Sequence, residues 1–234
     1  MQEAKSTIKK LFPKPWPAIW AWIYLAIIIL GLATPGNDLL TFIKIAGIFL
    51  CLLYVVQLFK TDHLLKLAML MTSIADIILA LNNTAISGII TFFLVQIIHL
   101  FRLSNSQSRS FIFVFISIAS VTIISDIILD FTPLLYIICS FYAIALTINL
   151  ILSWRWVKTA PEAPRALFAL TGFILFLFCD SCTVISYFSL TNILPFFLYA
   201  PANFFAWLFY YPSQILISNS SKTPKSQFFK LNQA

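Results

Sequence analysis

The chain has 234 residues, of which 61% are hydrophobic and 10% charged, with a formal net charge of +7 at pH 7 and a mean hydropathy of +0.95. A soluble domain carries about 25% charged residues, so this composition excludes an ordinary globular enzyme and specifies a polytopic membrane protein. The charge does not point to nucleic acid, because the lysines and arginines sit between apolar runs and build no basic, aromatic platform.

Runs of about 17–25 apolar residues can each cross a bilayer. In chain order they are Trp16–Leu32, Thr41–Phe59, Leu64–Leu81, Ile86–Leu103, Ser110–Leu129, Leu134–Trp154, Arg165–Leu190 and Pro195–Ser218. Lys5, Lys9, Lys10 and Lys14 precede the first run. Lys60 and Lys66, Arg102 and Arg109, then Arg155, Lys158 and Arg165 flank the even-numbered loops, and Lys222, Lys225 and Lys230 follow the last run. The odd-numbered loops, around Asn37–Asp38, Asn82–Asn83, Asp130 and Asn192, hold neither Lys nor Arg. This separation predicts an all-α bundle of eight transmembrane helices with both termini in the cytoplasm. Residues 1–15 then form a basic cytoplasmic N-terminus, 16–218 the membrane domain and 219–234 a disordered cytoplasmic tail. Gly31 to Gly36 reads as a helix stop and turn rather than a cleavage site. Trp16, Trp20 and Trp22, and Trp154 and Trp156, stand where interfacial anchors are expected.

Asp76 and Asp180 are the main candidates for chemistry. Each is a carboxyl inside an apolar run, within MLMTSIADIILAL and LTGFILFLFCDSCTVI respectively. A charge at the bilayer centre costs about 2.5–3.5 kcal/mol on insertion scales, so such a group faces the protein interior and has a task. Spans three and seven run the same way. At 1.5 Å per residue, both carboxyls lie about 18–22 Å along their helices, at comparable depth. Lys44, a few residues into span two, either snorkels to the outer interface or serves as counter-ion to an aspartate. Asp126 lies near the outer end of span five and reads as interfacial. Gln96 and His99 share a face of span four, and Tyr136, Tyr142, Asn149, Asn203, Tyr210, Tyr211 and Gln214 add polar points for interhelical hydrogen bonds. Cys51, Cys139, Cys179 and Cys182 read as small apolar packing residues. Cys179 to Cys182 spells C-x-x-C without a second pair, so no metal is expected.

Ser73-Ile74-Ala75-Asp76-Ile77-Ile78-Leu79 resembles the S-x-x-G-D-x-x-L signature of the YhhN, or lysoplasmalogenase-like, membrane proteins, and Gly88-x-x-x-Phe92 follows it. Lys44 stands where that family has a Lys-Pro pair. Gly172-x-x-x-Phe176-x-x-x-Asp180-Ser181 resembles its G-x-x-x-F-x-x-S-D segment, and Tyr210 to Gln214 its closing Tyr and Gln. Ala75, Ile45 and Cys179 depart from the pattern, and Gln96 occupies the position of the family's span-four histidine. The resemblance implies hydrolysis of the vinyl ether bond of a lysoplasmalogen to a fatty aldehyde and a glycerophospho-alcohol, without a cofactor. It assigns Asp76 and Asp180 as catalytic, and Lys44, Ser73, Gln96, Ser181, Tyr210 and Gln214 as substrate-binding. The partners expected are the bilayer and a lysophospholipid, in a bacterial inner membrane or, in a eukaryotic cell, the endoplasmic reticulum. Oligomeric state and head-group preference stay open. A proton-coupled transporter of a small or lipid-like substrate is the rival reading, since two acids four spans apart are what a parallel duplication would place.

Overall fold

The computed structural model describes residues 16–33, 38–59, 62–81, 86–104, 106–129, 133–160 and 163–221. Residues 1–15, Asn37, Lys60, Asn82–Asn83, Asp130 and the tail from Lys222 lie outside them. Among the described residues the chain forms eight α-helices and no strand: α1 (Trp16–Ala33), α2 (Asp38–Leu58), α3 (His63–Leu81), α4 (Ile86–Leu103), α5 (Ser106–Leu129), α6 (Leu134–Thr159), α7 (Pro164–Leu190) and α8 (Tyr199–Ser218), with a 3₁₀ turn at Phe196–Leu198 before the last. Six of them, α2 to α7, are long and apolar enough to cross a membrane, which makes this an integral multi-pass protein. The apolar part of α1, Trp16–Leu30, is shorter. In α8 the hydropathy is diluted by groups that face inward, including Tyr210, Tyr211, Ser213 and Gln214, all buried.

Local chemistry sets several boundaries. Asp62 caps α3, its Oδ1 accepting the Leu65 backbone N–H at 3.0 Å. Pro164 opens α7 at a position that needs no N–H donor. Pro195 interrupts the run expected as one helix from Pro195 to Ser218, so its first turn is 3₁₀ and α8 proper starts at Tyr199. Asn192, in the turn after α7, adopts a positive φ of 61° that asparagine tolerates better than most side chains. Within α8, Pro212 cannot donate to the Leu208 carbonyl. The Tyr24 phenol on α1 donates to it instead, at 3.2 Å.

Packing joins α2, α3, α4, α6, α7 and α8 in a closed ring, with α1 laid against α2 and α8 and α5 against α4 and α6. Each substantial pairing has a counterpart four helices on: α1–α2 with α5–α6, α2–α3 with α6–α7, α3–α4 with α7–α8, α2–α8 with α4–α6, and α1–α8 with α4–α5. The pairing pattern therefore repeats after four helices, and α3 and α7, which carry Asp76 and Asp180, occupy equivalent places in it.

Three expectations change at the ends of the ring. Trp20 is no interfacial anchor: it is 4% exposed and packs edge-on against Tyr54 at 4.6 Å, while Trp22 is 71% exposed. Arg102 is not a surface anchor either. It is buried, its Nη2 donating to the Ser220 carbonyl at 2.7 Å and to the Ser220 hydroxyl, its Nη1 3.1 Å from His99 Nδ1, and its Nε 3.9 Å from Asp62 Oδ2. The bundle also extends past residue 218, because Asn219, Ser220 and Ser221 are buried and Asn219 Oδ1 accepts the Tyr54 hydroxyl at 2.5 Å. These contacts plug one end of the ring. Asp126, near the C-terminal end of α5, is buried.

Candidate functional site

The ring interior holds two carboxyls, each fixed by a phenol. Asp76 accepts the Tyr210 hydroxyl on both oxygens, Oδ1 at 2.8 Å and Oδ2 at 2.7 Å. Asp180 accepts the Tyr142 hydroxyl on Oδ2 at 2.6 Å. Charged and strongly polar groups in an apolar interior need such partners, since an unpaired one costs several kcal/mol. Cys179 is buried beside Asp180 and lies within electrostatic range of Asp76 as well, and the two phenols lie within such range of each other. The two phenol–carboxyl pairs therefore lie near one another within the bundle.

Aromatic packing holds the Asp76 partner still. The Tyr210 ring meets Trp207 edge-on at 5.3 Å, Phe92 edge-on at 6.3 Å and Phe176 at 5.8 Å, and the Ser213 hydroxyl donates to the Tyr210 carbonyl at 2.6 Å. Lys44 Nζ lies 4.1 Å from the Trp207 ring centroid. It meets Trp207, which in turn packs on Tyr210, and is not a counter-ion placed on an aspartate. Behind Tyr142, the Asn149 side-chain amide donates to the Gln96 carbonyl at 3.0 Å and to Gln96 Oε1 at 2.9 Å. Gln96 lies close to the Tyr142 phenol. Gln96 Nε2, Asn149 Oδ1 and Ser153 Oγ are buried without a protein hydrogen bond, so the α4–α6 seam keeps hydrogen-bonding capacity that the fold does not consume. Among the described residues, no three His, Cys, Asp or Glu side chains come together as a metal-ligand set.

Residues 39–221 match the sequence model of the YhhN family, a stretch that includes both carboxyls and both phenols. The chain belongs to the YhhN family. No curated protein and no solved structure matched it.

Of the site residues expected from sequence, this YhhN protein gathers Asp76, Asp180 and Tyr210 around the interior and brings Gln96 to its edge through Tyr142. Ser73 is buried one turn before Asp76, with its hydroxyl turned back to the Met69 carbonyl at 2.9 Å. Gln214 is buried, with its Nε2 3.5 Å from Ser213 Oγ and no hydrogen bond to either aspartate. Ser181 does not join the site: it is exposed on the outer face of α7 and its hydroxyl donates to the Leu177 carbonyl at 2.9 Å. It follows Asp180 by one residue, and one residue turns a helix by about 100°, enough to move a side chain to another face. Tyr142 is the residue that sequence analysis did not single out for the site. The signal for it was present, since a tyrosine inside an apolar run needs a partner, but nothing local names Asp180 as that partner.

Proposed function

We propose that this YhhN-family protein is a membrane-embedded hydrolase that cleaves the vinyl ether bond of alkenyl lysophospholipids, releasing a fatty aldehyde and a glycerophospho-alcohol. The observation that carries the proposal is the pair of phenol-held carboxyls lying near one another within an apolar bundle. Vinyl ether hydrolysis begins with proton transfer to the alkenyl carbon and passes through an oxocarbenium ion that water captures. It needs an acid, an anion to stabilise the cation, and water. Two carboxyls in different environments supply the first two, as paired carboxyls do around the oxocarbenium-like transition state of glycosidases. The Phe92, Phe176 and Tyr210 rings give an apolar wall for an alkyl chain. Eight spans with both termini cytoplasmic complete the proposal, and a tag after Asn192 that labels only from the cytoplasmic side would sink that topology.

The test is aldehyde release from alkenyl lysophospholipids by purified protein. Asp76→Asn and Asp180→Asn should each retain the folded bundle and lose about 10²–10⁴-fold in turnover. The losses should not add in the double variant if both groups act in one step. Undiminished activity in either variant would remove that residue from the mechanism. The repetition of the packing pattern every four helices favours one rival, a proton-coupled transporter built from parallel repeats. Uptake into vesicles driven by a pH gradient, with no aldehyde formed, would decide for it.

A further inference from the structure

A serine or threonine inside a helix commonly returns its hydroxyl to the carbonyl four residues back. On α6, Ser140 donates to Tyr136 at 2.8 Å, Thr147 to Ala143 at 2.8 Å and Thr159 to Arg155 at 3.1 Å. Ser153, on the same helix, does not: its Oγ is fully buried and bonds neither to the Asn149 carbonyl nor to any other protein atom. Asn149, one turn earlier, is equally buried. Its amide nitrogen is spent on Gln96, while its Oδ1 accepts no protein donor. Across the seam on α4, Gln96 is buried with Oε1 taken by Asn149 and Nε2 unpartnered. Buried polar atoms are costly unless something bonds to them, and here such atoms gather on two facing helices.

We propose that the α4–α6 seam is a water-binding site, in which Gln96 Nε2, Asn149 Oδ1 and Ser153 Oγ hold water and supply it to the surroundings of Asp180. These atoms are a donor, an acceptor and a hydroxyl that is both. Water matches that set, since a buried water makes about three hydrogen bonds to groups of this kind. A charged ligand does not match, because the side chains are neutral and an unpaired charge is far costlier to bury than a neutral molecule. An apolar ligand would leave every one of these atoms unpartnered. The path to Asp180 follows from spacing. Tyr142, Asn149 and Ser153 are seven and four residues apart, so they share one face of α6 and cover about 16 Å of its length. Gln96 lies close to the Tyr142 phenol, and that phenol donates to Asp180 Oδ2 at 2.6 Å. Polar groups thus lead from Ser153 to this carboxyl, whereas the Tyr210 phenol on Asp76 is packed among Trp207, Phe92 and Phe176. The use of the water rests on the vinyl ether hydrolase reading, in which each turnover consumes one water. Its oxygen enters the aldehyde, and its two hydrogens are accounted for by the alkenyl carbon and the departing glycerol oxygen.

The experiment compares the full chain with Ser153→Ala and Gln96→Met in one detergent. The first readout is thermal unfolding, where the sign of the Ser153→Ala effect decides. A hydroxyl bonded to water contributes stability, so its removal should lower the melting temperature by about 2–4 °C. A buried hydroxyl bonded to nothing is a cost, so its removal would raise the melting temperature. A rise, or no change, overturns the proposal. The second readout is X-ray radiolysis in water enriched in heavy oxygen, which leaves the heavy isotope on aromatic rings beside bound water. Tyr142 should be marked in the wild type, and each variant should cut that mark severalfold while Tyr136, exposed on the same helix, is marked as before. Equal marking of Tyr142 in all the proteins overturns the proposal as well. Where Gln96→Met fails to fold, Ser153→Ala carries both readouts. With alkenyl lysophosphatidylethanolamine as substrate, Ser153→Ala should lower kcat for aldehyde release and leave KM unchanged, because it withholds water and not lipid. A raised KM with kcat intact overturns the use assigned to the water. Wild-type protein that releases no aldehyde overturns the hydrolase reading and that use with it, while melting and radiolysis still decide whether the seam binds water.

Discussion

A single added methyl at Gly172 tests how tightly α7 and α8 fix the site. A Cβ there would lie 2.8 Å from Ile217 Cγ1, 3.1 Å from the Ile217 backbone nitrogen and 3.2 Å from the Ser213 carbonyl oxygen. Comfortable carbon contacts are about 3.5–4.0 Å, and two of these three neighbours are backbone, so α8 must back away by roughly half an ångström. Overpacking of this kind costs about 1–3 kcal/mol, against about 1 kcal/mol gained from alanine's better helix propensity. Gly88 offers the contrast: its added Cβ meets Leu79 Cδ2 at 2.6 Å and Cγ at 2.7 Å, side-chain atoms of a half-buried leucine that can rotate away. That rotation costs about 0.5–1.5 kcal/mol, which the same propensity gain offsets. Gly172→Ala should therefore melt roughly 2–8 °C below Gly88→Ala, as expected for a difference of about 1–2 kcal/mol in a chain of this size. Because Ser213 sits three residues from Tyr210, Gly172→Ala should also lower aldehyde release, and Gly88→Ala should not. Thermal unfolding in one detergent reads the first effect. Equal melting temperatures, or full recovery by Ile217→Ala, which relieves only the side-chain contact, would refute the backbone argument.

Other expectations follow from the same geometry. Arg102→Met removes the buried guanidinium that donates to Ser220 and faces Asp62 at 3.9 Å, and should destabilise the fold by about 1.5–3 kcal/mol. It should also release Asn219–Ser221, read as new protease sensitivity after α8, and adding Asp62→Asn should recover part of the loss in melting temperature. Lys44→Met removes a cation–π contact of about 0.5–2 kcal/mol, so turnover should fall by no more than about thirtyfold, and Trp207→Leu should make the lysine change silent. Ser181→Ala should leave aldehyde release unchanged within a factor of about two, as for exposed positions generally. A large loss would return Ser181 to the site.

Helix placement was legible wherever polar residues bound an apolar run. The α4 span Ile86–Leu103 was read to the residue, and α7 within one position. The α6 helix continues to Thr159, beyond the expected end at Trp154, because Arg155, Trp156 and Lys158 are compatible with helix although they end the apolar run. Hydropathy reports where lipid ends, not where hydrogen bonding ends. The aspartates were legible because a carboxyl is costly in such runs. Their partners were not: Tyr142 meets Asp180 across 38 positions, Tyr210 meets Asp76 across 134, and the chain offers eight tyrosines. Arg102 was misread for a related reason. An arginine at the end of an apolar run looks like a loop anchor until Asp62 and Ser220 are seen to fold over it.

The 134 positions between Asp76 and Tyr210 also set an order of events during biosynthesis. The ribosome delivers the carboxyl with the third helix and its phenol only with the eighth, so for most of translation the nascent chain carries a carboxyl whose eventual donor has not been made. Such a polar group in lipid is the kind of flaw that membrane quality control detects. The last helix thus marks completion: chains stopped before Tyr199 should be cleared faster in a pulse-chase than full-length chains, and Asp76→Leu should slow that clearance.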